Sequence, residues 1–244
     1  MTAIRGWPPD LGLRRYDTLD STNEEARRLA RSGVRGPLWI VSAAQTAGRG
    51  RRGRVWISES GNLFATLLMP VTTSLSPQLG FVAGLAAADA IAAHAPGAEV
   101  ALKWPNDVLL NGKKAAGILL EALGHDSLAI GIGINLVHYP PATEIPSISI
   151  AAVTGSPPDF DGILLRLARA MTAWYEIWLR GGFQPVRKAW LMRASGLGHA
   201  MRARLADSER DGVFEDLDED GALLLRDPTG TLTRITAGDV FFRP

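Results

Sequence analysis

Cysteine is absent from the 244 residues. Disulfides, thiolate metal sites and a cysteine nucleophile are thereby excluded, and the chain fits a reducing compartment. An excess of charge is missing too: 26 Lys and Arg against 25 Asp and Glu leave a formal net charge of +1. So small a charge exerts no general pull on nucleic acid or anionic membrane. Long apolar runs are lacking. The most apolar stretch, residues 81–93, is short for a membrane span and has Asp89 within it. The N-terminal MTAIRGWPPDLGLRRY has no apolar centre of the signal-peptide kind. A soluble, cytoplasmic protein is expected. Neither an internal repeat nor a low-complexity tract occurs. What is present, 46% apolar and 21% charged residues, is an ordinary globular balance that buries a real core.

Periodicity places the elements. Residues 13–19 read as a strand, and Asp20-Ser21-Thr22-Asn23-Glu24 opens a helix. Ser21 with Glu24 three residues on has the spacing of a capping box, and Gly33 is a stop. Strands are expected at 37–43, 62–69, 100–104, 108–110, 113–122 and 128–137, with a helix from Leu79 ended by Pro96-Gly97. Asn111-Gly112 is the strongest hairpin signal, because both turn positions need positive φ. The chain loosens at Tyr139-Pro140-Pro141 and Ser156-Pro157-Pro158. One apolar face then runs through Ile163, Leu164, Leu167, Met171, Trp174 and Trp178, the mark of a long helix. Gly181-Gly182 breaks it, and a short helix is expected at 186–193. Beyond Gly196 short strands alternate with Asp-Gly turns, as in a small β-barrel.

The stretch AGRGRRGRVW, residues 47–56, holds four arginines and three glycines. It matches the G-x-G-x-x-G dinucleotide pattern, but the context is wrong. Arg54-Val55-Trp56-Ile57 favours strand where a helix must begin, and no acid lies about twenty residues on. A nucleic-acid arm is the second reading, yet one short basic run in a nearly neutral chain neutralises few phosphates and gives weak, salt-sensitive binding. A solvated loop with idle arginines is the bland alternative. The third reading is a lid: glycines let backbone N–H groups approach a ligand, and arginines offer forked donors to carboxylate or phosphate oxygens. With no apolar side chain between Gly48 and Arg54 to anchor it, such a lid is expected to be mobile when empty.

A lid needs further anion-handling groups. Lys103-Trp104-Pro105-Asn106-Asp107 carries a cation, a ring, an amide and a carboxylate, although an exposed strand exit could look the same. Lys113-Lys114 follows the hairpin turn, where lysines are usually edge decoration. The two point to opposite faces of an extended strand, Lys114 with Ala116, Ile118 and Leu120, and Lys113 with Ala115, Gly117 and Leu119, unless a bulge near the turn shifts either. Gly131-Ile132-Gly133-Ile134-Asn135 leaves one strand face as bare backbone, suited to a ligand or to a close-packed helix.

In order along about residues 14–137, these segments resemble the biotin protein ligases (biotin–acetyl-CoA-carboxylase ligases). The carrying pieces are Asp20-Ser21-Thr22-Asn23, the run from Gln45 to Trp56, Gly61-Asn62-Leu63, Lys103 to Asp107, Lys114 to Leu119, and Ile132 to Asn135. The tail resembles the family's SH3-like domain. No N-terminal helix-turn-helix precedes Arg14, so the resemblance is to the short form without the DNA-binding domain, with no transcriptional role.

The resemblance implies an α+β fold: a class II synthetase-like catalytic domain, a mixed β-sheet backed by helices, over residues 1–195, then an SH3-like β-barrel over 196–244. It implies ATP-dependent activation of biotin to biotinyl-5'-AMP with Mg²⁺, then transfer to a lysine of the biotin carboxyl carrier protein. Lys114 and Arg51 are the implied catalytic groups, Lys114 at the biotin carboxylate. Ser21, Thr22, Asn23 and Gln45 would bond the ureido ring, and Gly48, Arg49, Gly50 and Arg51 would close over biotin and its adenylate. Gly117, Gly131 and Gly133 would let the ligand lie on the sheet. Arg54, Trp56, Lys103, Asn106 and Asn135 would handle ATP. Neither specific DNA nor membrane is an implied partner, and a homodimer is left open. A lipoate–protein ligase shares the superfamily fold and is the nearest rival. A nucleic-acid-binding protein is the alternative from another class.

Overall fold

The computed structural model describes residues 4–71, 76–141 and 143–242. Its larger sheet contains β1 (Gly12–Leu19), β2 (Leu38–Gln45), β3 (Leu63–Pro70), β4 (Val100–Lys103), β5 (Asp107–Leu110), β6 (Lys113–Ala122) and β7 (Ser127–Ile134). The spatial order is β1-β2-β3-β7-β6-β5-β4. Only β1 and β2 pair in parallel, joined through α1 (Thr22–Arg31), and the other neighbours are antiparallel. The sheet is therefore mixed, as expected. Helices α2 (Leu79–His94), α4 (Phe160–Gly181) and α5 (Phe183–Leu191) appear where periodicity placed them, the last three residues earlier. A short α3 (Ile150–Thr154) appears in the loosened region, its first turn capped by the Ser149 hydroxyl accepting from the Ala152 N–H.

The two faces of the sheet are unequal. Trp39, Val41, Leu63, Ala65, Leu67, Ile130, Ile132 and Ile134 point into one large core shared with α2 and α4. Helix α2 is buried nearly all round, which explains its lack of a polar stripe. On the opposite face Leu38, Ile40, Leu68 and Ala129 pack under Ala26 and Leu29 of α1 alone. One helix cannot cover seven strands, so the floor beyond its N-terminus stays open. Gly131 and Gly133 lie on that uncovered side, as the glycine–isoleucine alternation required.

The β5–β6 hairpin corrects one expectation. Asn111 (φ 48°) and Gly112 (φ 74°) make the predicted turn. However, Val108 pairs with Ala116 and Leu109 with Lys114, so Ala115 is an extra, bulged residue. Ala115 and Ala116 are both buried, and strand parity is reset between them. Lys114 consequently shares a face with Gly117 and Leu119, not with Ala116, Ile118 and Leu120 as uninterrupted alternation had it. Lys113 stays exposed.

The start of α1 corrects another. Ser21 occupies the N-cap position in extended conformation, but its side chain makes no capping hydrogen bond. The Asp20 carboxylate instead accepts from the Ser21 N–H (2.7 Å) and from both terminal nitrogens of Arg28 (2.8 Å each). The Arg28 guanidinium lowers the Asp20 carboxyl to about 2. Gln45 Oε1 takes the Thr22 N–H at 2.8 Å. Glu24 turns outward to Arg27 and Arg49 rather than back to Ser21.

After α5 the chain forms a second sheet of β8 (Ala200–Arg204), β9 (Glu209–Leu217), β10 (Leu223–Arg226), β11 (Leu232–Ile235) and β12 (Asp239–Phe242), antiparallel throughout in the order β11-β10-β9-β8-β12. This is the small barrel-like unit that the tail predicts. It is seated by Trp104 Nε1 donating to Gly221 O (3.1 Å) and Arg187 Nε to Leu217 O (2.7 Å), and its Phe214, Leu223 and Val240 join the main core.

Because Ser21 does not cap α1, Ser21→Ala should change stability by less than about 0.5 kcal/mol, against about 1 kcal/mol for loss of a working cap. Urea titration of both proteins measures the difference.

Candidate active site

The uncovered floor is a cleft of about 280 Å³. Residues 131–135 give it a length of about 13 Å at strand rise. At one end stands the N-terminus of α1. Asn23 is buried, and its Oδ1 lies 2.7 Å from the Thr66 hydroxyl. Its side chain overlies Gly131, where an added Cβ would come within 2.3 Å of Asn23 Oδ1. Ser21, Thr22 and Gln45 line the same end; Gln45 Nε2 donates to Ser58 Oγ at 2.9 Å.

The middle holds Trp56. Its indole lies over Gly117 and Gly133, so close that a Cβ on Gly133 would sit 2.7 Å from Nε1. The three bare glycines thus admit the chain's own Trp56 and Asn23 side chains against the sheet. The Trp56 N–H is buried and has no acceptor within the described residues.

Lys114 closes the far end. Its ammonium is 2.6 Å from Asp107 Oδ1 and 5.4 Å from the centre of the Trp56 ring. Asp107 is itself buried, so its carboxylate would be left uncompensated without the ammonium, and the pair fixes where the ammonium stands. The Asn135 amide nitrogen donates to Ile148 O (3.1 Å) and Lys114 O (3.4 Å), pinning the lysine's backbone.

The arginine–glycine loop spans the cleft mouth. An antiparallel bridge joins Arg49 to Val55, and Gly50 N–H donates to Arg54 O at 2.7 Å. Arg52 adopts φ 55°, a left-handed conformation that non-glycine residues hold at a cost of about 1 kcal/mol. Polar contacts take the place of the missing apolar anchors. Arg49 meets Glu24 (3.0 Å) and Glu121 (3.4 Å), Arg51 donates to Asn106 Oδ1 (3.2 Å) and Gly238 O (3.4 Å), and Arg54 meets Asp239 (2.8 Å). Burial pushes the Arg51 guanidinium below its ordinary value, opposed by Asp239. With each partly exposed pair worth roughly 1 kcal/mol or less, the loop is held but not locked.

Two expected site residues do not line the cleft. Gly48 is at the loop's base, where a Cβ would lie 2.3 Å from Ser58 Oγ and 2.5 Å from Trp56 O. Its lack of a side chain is what lets the loop close on itself. Lys103 is buried beneath β12, its ammonium 5.7 Å from the Phe241 ring centre. Burial pushes it below the ordinary lysine value, and the Asp107 carboxylate opposes that shift. All the other expected residues share the one cleft.

No motif marks residues 140 and 143–147 as part of the site. Pro140, Thr143, Glu144, Ile145 and Ser147 line the cleft because Lys114 N–H donates to Pro146 O (2.8 Å) and Ile148 N–H to Lys114 O (2.9 Å). Asn62 aims this segment, its Oδ1 accepting from the N–H groups of Leu136, Val137 and His138. No local pattern announces that pairing. Asp107, by contrast, stood in a motif already singled out.

Residues 16–136 match the Biotin/lipoate A/B protein ligase family, and residues 197–243 match the Biotin protein ligase C terminal domain. The chain belongs to this family of ligases. Within it, the chain is 45% identical to the biotin–acetyl-CoA-carboxylase ligase of Paracoccus denitrificans, over 91% of this chain and 97% of that one. The bifunctional ligase/repressor BirA of Bacillus subtilis is 33% identical, over 92% of this chain and 72% of the repressor. Among solved structures, the biotin protein ligase from Aquifex aeolicus in complex with biotin and ATP superposes with a TM-score of 0.83 at 28% identity, covering 95% of this chain and 98% of that one.

Since Gly133 exists to admit the Trp56 ring, Gly133→Ala should push the indole outward and shift its fluorescence to the red. The shift should vanish when Gly133→Ala is introduced into a Trp56→Phe background.

Proposed function

We propose that this protein activates biotin with ATP to biotinyl-5'-AMP and transfers the biotinyl group to a lysine of the biotin carboxyl carrier protein of acetyl-CoA carboxylase. The carrying observation is the placing of one ammonium, Lys114, in the cleft whose other end is lined by the neutral donors and acceptors of Ser21, Thr22, Asn23 and Gln45. Such a cleft suits a ligand with an uncharged hydrogen-bonding head and an anionic tail. The similarity to the Paracoccus ligase along nearly its whole length supports the choice of substrate and carrier.

In the first step a biotin carboxylate oxygen bonds to the α-phosphorus of ATP, and pyrophosphate leaves. Two anions must approach, so Lys114 and Arg51 offset the charge that gathers between them. Asp107 holds the Lys114 ammonium in place beforehand. Arg54, Asn106, Asn135 and Trp56 take the nucleotide end. Lys103 acts beneath this surface through Asp107. Arg49, Gly50 and Arg51 close over the adenylate, Gly48 serving as the tight base of that loop, and exclude water from the mixed anhydride.

Mg²⁺ is expected to enter with ATP. In the second step the carrier's lysine amine attacks the acyl carbon, an amide forms, AMP leaves and the amine loses a proton. Residues 1–195 make the catalytic domain and 196–244 the appended barrel, a division supported by the second sheet's start at Ala200.

The nucleic-acid reading loses its footing in the loop itself. Arg49, Arg51 and Arg54 already have partners within the chain, so the run is not a free basic stripe. A working place in the cytoplasm fits the absence of cysteine. No helix among the described residues is long and apolar enough to cross a membrane.

Incubation with Mg²⁺, ATP and either biotin or lipoate should yield biotinyl-adenylate by mass; an adduct with lipoate alone would overturn the assignment. Lys114→Ala should slow adenylation by a factor of hundreds, about 3–4 kcal/mol of transition-state stabilisation, while the chain stays folded. Lys113→Ala should remain near wild type, and pyrophosphate release from the two variants makes the comparison.

A further inference from the structure

Glu121 lies outside the cleft lining, near the end of β6, and touches both the cleft's head end and its lid. It is on the same strand face as Lys114, Gly117 and Leu119, because the bulge at Ala115 sets the parity of everything after it. Its Oε2 accepts from Asn23 Nδ2 at 2.7 Å and lies 3.4 Å from Arg49 Nη2. Its Oε1 accepts from Arg27 Nη2 at 3.1 Å. Arg27 and Arg49 both also reach Glu24 Oε2, at 3.3 and 3.0 Å.

A carboxamide has an accepting and a donating side of almost equal shape, and only its partners decide which way it faces. An ionised carboxylate only accepts. Glu121, the nearer of two acceptors beside Leu119 O at 3.4 Å, therefore turns the Asn23 NH₂ toward itself, which turns Oδ1 toward the Thr66 hydroxyl and sets the donor–acceptor pattern at the head of the cleft. The same oxygen holds Arg49 of the lid. Orientation of the head group's partner and retention of the loop thus meet in one side chain.

We propose that Glu121 is a positioning residue for the reaction, orienting Asn23 toward the biotin head and latching the Arg49 loop across it. This rests on the ligase reading of the cleft. Two variants separate the two roles. Glu121→Gln keeps an acceptor for Asn23 Nδ2 but drops one of the two carboxylate charges that hold Arg49. Glu121→Ala removes both. Without ligand, amide exchange across residues 48–54 should quicken in both variants relative to wild type.

In steady-state adenylation, the KM for biotin should rise about tenfold in Glu121→Ala over Glu121→Gln, the scale of one oriented hydrogen bond. The KM for ATP should be the same in the two variants, and thermal melts should show both folded. Equal biotin KM values in the two variants would overturn the orienting role, as would a parallel rise in the KM for ATP. Wild-type exchange in Glu121→Gln would overturn the latch. A wild-type protein that forms no biotinyl-adenylate would defeat the ligase reading and the orienting role built on it, and the exchange comparison, which needs no turnover, would still decide the latch. Should Glu121→Ala fail to fold, Glu121→Gln against wild type still decides: a rise of about threefold or more in its biotin KM would overturn the orienting role, and a smaller rise would uphold it.

Discussion

Strand β7 is asked to be two surfaces at once, and the site depends on its managing it. Ile130, Ile132 and Ile134 press into the core under α2 and α4, while Gly131 and Gly133 leave the reverse face without side chains. Burial of the isoleucines fixes the strand's height and register, because a slip of one residue would send three of them into the cleft. Bare backbone on the other face then gives Asn23 and Trp56 somewhere to lie flat. A floor built this way is rigid for reasons unrelated to the ligand.

Placing a charge on that floor required breaking the pattern next door. Unbroken alternation along β6 would have turned the Lys114 side chain into an apolar core, where an unpaired ammonium costs several kcal/mol. The bulge at Ala115 avoids this by inserting one buried alanine, and Lys114 emerges on the cleft side within reach of Asp107. The same device carries through to Glu121 four residues beyond Gly117. One irregularity thus serves both ends of the cleft.

The second sheet is more than an appendage in this arrangement. Asp239 and Gly238 of its last turn and strand receive Arg54 and Arg51, and Arg204 pairs with Glu144 of the segment beside Lys114. Both walls of the cleft are therefore tied to the barrel-like unit by contacts that are individually weak.

The sequence by itself determined the order and kind of nearly every element, since periods of 2 and 3.6 and the Asn-Gly turn are local properties. It also named most of the cleft residues, because the arginine–glycine loop, the Lys103–Asp107 run and the alternating glycines are contiguous motifs. Other features were decided only in three dimensions. The bulge depends on pairing between β5 and β6, so Lys114 and Gly117 share a face against their sequence parity. Ser21 has the spacing of a cap, but Asp20 and Gln45 satisfy the helix start and free its hydroxyl. Lys103 sits in a motif with Asn106 and is nevertheless buried under β12, which arrives from more than a hundred residues away. Residues 143–147 carry no signal of their own; hydrogen bonds to the backbone of Lys114 bring them to the cleft, and such bonds are blind to side-chain identity.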